Sequence, residues 1–216
     1  MTGNLRKAIH LVLHADPSIM EVVFKTNQTR KLRYRGPLHY NRMDMVTLGK
    51  DELLKLIENG ILRIEPFRME QVGPASINLH LGESFRVFEK TRDVFHVRED
   101  ADYKQLTRAV KVERNGSFLI MPNELVQGIT EETITLPSTL SGRIEGRSRF
   151  ARLGLLIHLS SGFIQPGSTG KVVLEILNVS PLPLALHPGT AICQVIIEEA
   201  RGATKYTGVF AGQDAP

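Results

Sequence analysis

Apolar residues in this chain fall into short runs separated by Gly, Pro, Asn and Ser, and one stretch carries helical spacing. In TLGKDELLKLIENGILRI, Leu53, Leu54 and Ile57 recur on one helical face, Asp51 and Glu52 fill the first turn, and Asn59-Gly60 closes the pattern. That predicts a short capped helix. After it come SINLHLG, ESFRVFE, SFLIM, ELVQGITEETITLP, GRIEG, LLIHL, KVVLEILNV, LPLAL and AICQVIIEEA, each with strand character and most bounded by turn residues. Many short strands with one helix predict a mainly β fold, a sandwich, jelly roll or distorted barrel rather than a doubly wound sheet. Residues 89–116 are charged and poor in large apolar side chains, which reads as a long excursion from the barrel.

One strand breaks the apolar rule. In KVVLEILNV, residues 171–179, strand alternation puts Lys171, Val173, Glu175, Leu177 and Val179 on one face and Val172, Leu174, Ile176 and Asn178 on the other. Both faces are mostly apolar, so an ionised Glu175 needs a partner or a wet cleft. Two readings follow: a general acid/base, or a structural acid that faces solvent or pairs with Arg at an oligomer interface.

Charge changes the picture at one end only. Residues 1–45 hold eight Lys/Arg against three Asp/Glu, a net of +5; the whole chain has 27 against 23, which leaves 19 against 20, or −1, for residues 46–216. The chain therefore divides into a basic N-terminal extension, 1–45, and a β domain with a C-terminal tail, 46–216. Within the extension, KTNQTRKLRYRG interleaves cations with Tyr34. It reads as a solvated arm and as the one segment suited to nucleic acid. No apolar run approaches the roughly 20 residues of a membrane span. His10 and His14 interrupt the first apolar patch and argue against a secretory signal, so a cytoplasmic protein is expected. A single cysteine, Cys193, excludes an internal disulfide and a cysteine-clustered metal site, and its apolar neighbours place it in the core.

A second stretch adds chemistry. GRIEGRSRFARLGLLIHLSSGFIQPGSTGKVVLEILN, residues 142–178, sets Arg147, Ser148, Arg149 and Arg152 close ahead of the Glu175 strand. Guanidinium forks match phosphate oxygens bidentately, so this cluster suits a polyanion such as a nucleoside triphosphate. No Gly-rich cradle ending in Lys-Ser/Thr occurs.

In this order, GRSRFARLGL, GFIQPG and VLEILN resemble the GRSSxARLGL, GFIDPG and TLExxN motifs of the dCTP deaminase family, within the dUTPase-like superfamily. VTLGKDELLKLIENGILRIEPF, VGPASINLHLGESFRVF and LPLALHPGTAICQVIIE are similar to that family's N-terminal helix, its PASxDLxLG strand and its last core strands, so the likeness spans about residues 46–208. The resemblance implies a distorted β-barrel subunit, a homotrimer and nucleotide sites shared between subunits. It implies deamination of dCTP to dUTP and ammonia, with Glu175 as the catalytic proton shuttle, Ser148 holding the water and Arg152 beside it. Arg147, Arg149 and Lys205 would meet phosphates. His158, Ser161 and Tyr206 would line the substrate pocket, and Gln165 would meet a sugar hydroxyl. It implies no catalytic metal; Mg2+ would accompany the triphosphate, and the ligands of zinc deaminases are absent from the sequence.

Several residues depart from the family pattern. Gln165 and Asn78 stand where the family has Asp, Arg149 replaces a Ser, Ser160-Ser161-Gly162 replaces TAG, and Val209 stands at a tail position that is Gln in the family. Gln165 cannot act as a carboxylate base, which weighs against diphosphate release from dUTP. Two alternatives stay open: a dUTP diphosphatase or bifunctional dUMP-forming enzyme, and a non-catalytic nucleotide-binding paralogue.

Overall fold

The structure, a computed structural model, describes residues 9–13, 20–24, 46–89 and 93–216. The chain divides into two compact units, Met1–Asp44 and Met45–Pro216. In the first, β1 (Ile9–Leu13) pairs antiparallel with β2 (Met20–Phe24). The basic stretch 25–36 lies outside the described residues.

The second unit opens with α1 (Lys50–Glu58), which ends at Asn59 with Gly60 at φ 67°, as the Asn-Gly pair predicts. Leu53 is fully buried, while Leu54 and Ile57 pack at the edge of the core. The strands follow in order: β3 (Arg63–Glu65), β4 (Ile77–Phe88), β5 (Thr107–Lys111), β6 (Phe118–Ile120), β7 (Leu125–Thr135) and β8 (Leu140–Gly146). After the one-turn helix α2 (Ser148–Ala151) come β9 (Leu155–Ile157), β10 (Phe163–Ile164), β11 (Thr169–Asn178), β12 (Leu184–Leu186) and β13 (Ala191–Glu199).

Nine strands form one antiparallel sheet in the order β10-β8-β13-β4-β7-β11-β9, with β3 added on β7 and β5 on β4; β12 and β6 pair separately. This is the mainly β architecture expected, in the form of a curled half-barrel sheet. The sheet curls at β4, whose first half (Ile77–His80) pairs with β13 and whose second half (Ser84–Phe88) pairs with β5. The two segments SINLHLG and ESFRVFE are thus one strand. Gly82 marks a close backbone approach rather than a turn: a Cβ there would stand 3.0 Å from the Ile129 carbonyl, beside a register shift between Leu81 and Phe85.

Residues 89–116 are only partly an excursion, because β5 returns to the sheet within them and a 3-10 turn spans Tyr103–Gln105. Between the two flanks of the sheet lie Phe85, Leu81, Leu174, Ile176 and Ile197, all fully buried, with Phe85 stacked on Phe118 at 4.6 Å between ring centroids. Cys193 is buried in this core, as expected, and burial pushes its thiol pKa far up. Among the described residues no helix is long and apolar enough to cross a membrane.

Candidate active site

Strand β11 answers the question its acid raises. Leu174, Ile176 and Asn178 point into the core and are fully buried, whereas the opposite face, carrying Lys171, Val173 and Glu175, is half-buried. That second face floors a cleft of about 480 Å³, within the usual range for a small-molecule site.

The Glu175 carboxylate is held from the loop between β9 and β10. Its Oε2 accepts the Ser160 backbone N–H at 3.1 Å and lies 3.1 Å from His158 Nδ1. The His158 side chain is 4% exposed and that of Glu175 27% exposed, so the carboxylate sits between packed protein and cleft. No described residue donates to Oε1. Ser161, next in the loop, has φ 51°, a left-handed conformation rare outside glycine and concentrated at ligand sites.

Of the residues singled out in the sequence, the cleft gathers Glu175, His158, Ser161, Gln165 and Tyr206. Tyr206 reaches it through the C-terminal tail, which is tied to the site by backbone bonds. The Tyr206 N–H donates to the Pro166 carbonyl at 3.0 Å, Gly212 N–H to Thr169 at 2.9 Å, and Lys171 N–H to Gln213 at 2.8 Å. Gly167 fits under this tail because a Cβ there would lie 2.9 Å from the Lys205 Cα.

The other group stays apart within one chain. Ser148, Arg149 and Arg152 are exposed on or beside α2 and do not line the cleft. Arg147, at the start of α2, is half-buried and donates through Nη1 to the Ala191 carbonyl at 2.6 Å. Lys205 is exposed in the tail and also lies outside the lining.

Sequence reasoning missed Lys171, Gln127, Tyr103 and Phe210, all of which line the cleft. Lys171 shares the Glu175 face, so alternation alone could have placed it there. Tyr103 lies in the charged segment that carries no periodic signal, and its ring sits 5.5 Å from the Arg86 guanidinium.

His80, Glu131 and Glu132 bring potential metal-ligand atoms within 4.8 Å of one another. Their partners leave a cation little room. Glu132, fully buried, accepts from Gln71 Nε2 at 2.7 Å and from the His80 N–H at 2.8 Å, and its Oε1 lies 2.6 Å from His80 Nδ1. Glu131 pairs with Arg114 and faces Arg68 at 3.7 Å. Two guanidiniums already neutralise these acids, so the cluster is a structural polar network. Among the described residues Glu175 is the one carboxylate lining the cleft, and a single carboxylate cannot form an all-protein Mg2+ cage.

A family model described as dCTP deaminase-like matches residues 47–200. A protein of Nocardioides sp. named dCTP deaminase, dUMP-forming, is 38% identical over 176 residues, covering 78% of this chain and 92% of its own. The protein of the same name from Mycobacterium avium is 40% identical over 176 residues, with the same coverage of 78% and 92%. Among solved structures, 2′-deoxycytidine 5′-triphosphate deaminase from Agrobacterium tumefaciens shares the fold at TM-score 0.55 and 22% identity, over 71% of this chain and 48% of that one. On the family match and these relatives, the chain belongs to the dCTP deaminase-like family.

Proposed function

We propose that this protein deaminates dCTP, with Glu175 moving the protons. The observation that carries the reading is the Glu175 carboxylate at the floor of a nucleotide-sized cleft, one oxygen accepting the Ser160 N–H beside His158 Nδ1 and the other receiving no donor from any described residue. Water adds to C4 of cytosine as Glu175 takes one of its protons. The C4=N3 π electrons go to N3, which receives that proton from Glu175; the hydroxyl proton of the tetrahedral carbon then passes through Glu175 to the departing amine, and ammonia leaves as the C4 carbonyl closes. A carboxylate that can both accept and return a proton serves every step, so the chemistry at the base asks nothing of a metal.

The remaining roles follow the two groups of residues. His158, Ser161, Gln165 and Tyr206 surround base and sugar in the cleft. Ser148 holds the water with Arg152 beside it, and Arg147, Arg149 and Lys205 meet the phosphates, with Mg2+ carried by the triphosphate itself. Because Ser148, Arg149 and Arg152 are exposed away from the cleft of their own chain, we assign them to a neighbour's cleft in a homotrimer.

The sequence pointed to dUTP as product, whereas relatives 37% to 41% identical are named dUMP-forming. We therefore take dUMP, diphosphate and ammonia as the products. Release of dUTP is the second reading, favoured by Gln165, which lines the cleft as an amide where the family motif has an acid. Incubation with dCTP, dUTP and their ribonucleotide counterparts, with ammonia and diphosphate followed separately, tests both. Ammonia and diphosphate in equal amounts from dCTP support the first, ammonia alone supports the second, and neither product refutes the deaminase.

A further inference from the structure

Across the sheet, one row of side chains runs from Arg86 on β4 through Gln127 on β7 to Glu175 on β11, each residue directly opposite the next. Directly opposed residues in an antiparallel sheet project to the same face, and Gln127 and Glu175 both line the cleft. Three buried side-chain atoms among the described residues lack a hydrogen-bond partner: Gln127 Oε1, Glu131 Oε2 and Arg143 Nε. Of the three residues, Gln127 alone lines the cleft. Neither row neighbour donates a hydrogen bond to it. Arg86 spends Nε and Nη2 on Thr107 at 2.8 and 3.0 Å, and Glu175, when ionised, accepts only.

An amide carbonyl shielded from water and left without a donor is costly unless a ligand completes it. We infer that Gln127 is a specificity residue that reads position 4 of the pyrimidine, accepting a hydrogen bond from the exocyclic amino group of cytosine. This rests on the reading of the cleft as a cytosine-nucleotide site. Position 4 is where cytosine and uracil differ most: an N–H donor in one, a carbonyl acceptor in the other. Gln127 Oε1 therefore attracts the amino group and opposes the uracil oxygen. It holds the leaving nitrogen beside Glu175, and it disfavours the deaminated base once the amine has gone.

The test is a pair of near-isosteric replacements, Gln127→Met and Gln127→Leu, that keep bulk and remove the acceptor. Binding of dCTP and of dUTP is measured by calorimetry in a Glu175→Gln background, so that dCTP is not consumed, while ammonia release is followed in the otherwise wild-type protein. The expected result is a loss of about 10–10²-fold in dCTP affinity, with dUTP affinity unchanged or improved and kcat/KM for dCTP reduced to match. Equal affinities before and after substitution, a uniform loss for both nucleotides, or a loss confined to dUTP would each overturn the inference. The two ideas fail separately: protein that releases no ammonia yet loses its cytosine preference with Gln127 keeps this inference and refutes the deaminase.

Discussion

His158 Nδ1 lies 3.1 Å from Glu175 Oε2 and receives the backbone N–H of the same residue at 3.2 Å. One ring nitrogen cannot serve both at once. Protonated, it donates to the carboxylate; unprotonated, it accepts the backbone N–H. Either way, the imidazole fixes where the Glu175 main chain and carboxylate sit. Replacing it by Asn should lower kcat for ammonia release by about 10–10²-fold with a smaller change in KM, because a misplaced acid costs rate more than binding. Combined with Glu175→Gln it should add almost nothing further, since both act on one proton-transfer step. Steady-state kinetics of the single and double variants measures this.

Ser148 and Glu175 belong to different surfaces of one chain, and that separation has a consequence for mixed assemblies. Ser148→Ala and Glu175→Gln should each be impaired alone. Dissociated and reassembled in equal amounts, they should recover about a quarter of the wild-type rate, because a site taking Ser148 from one subunit and Glu175 from another is intact in one random pairing of four. The assembly should have a mass of about 72 kDa, three times 24.1 kDa, by light scattering. A monomer, or no recovery on mixing, would place both residues in one chain's site.

Glu132 predicts stability rather than rate. It is fully buried, and its removal strands one N–H of the Gln71 amide, whose Nε2 otherwise donates to the Asn78 carbonyl, and the His80 N–H. Glu132→Leu should cost about 3–5 kcal/mol in urea denaturation at fixed protein concentration. The exposed Glu52–Lys55 pair, 3.5 Å apart on α1, should cost at most about 0.5 kcal/mol when broken.

Much of this was legible in the sequence because burial dictates pattern. An acid among Val, Leu and Ile announces itself, and α1 is bracketed by its own end signals. Gly82 misled because a glycine that admits a neighbouring backbone looks like one that makes a turn. Gln127 was silent for a different reason: in sequence it is one polar residue in a strand, and its meaning comes from lying opposite Glu175. Tyr103 reaches the cleft from a segment without periodicity. The arginines of α2 read as neighbours of Glu175 along the chain, yet folding puts them outside its cleft, since proximity in sequence does not survive a change of strand.

The central claim is that Glu175 carries the proton. Glu175→Gln keeps the side chain's size and removes its ability to act as base, so the decisive measurement is ammonia release from dCTP beside calorimetric dCTP binding for this one variant. The account predicts that turnover falls by about 10²–10⁴-fold or more while dCTP affinity stays within a few-fold of wild type. Ammonia release at a near wild-type rate would make Glu175 a structural partner of His158 and would contradict the account.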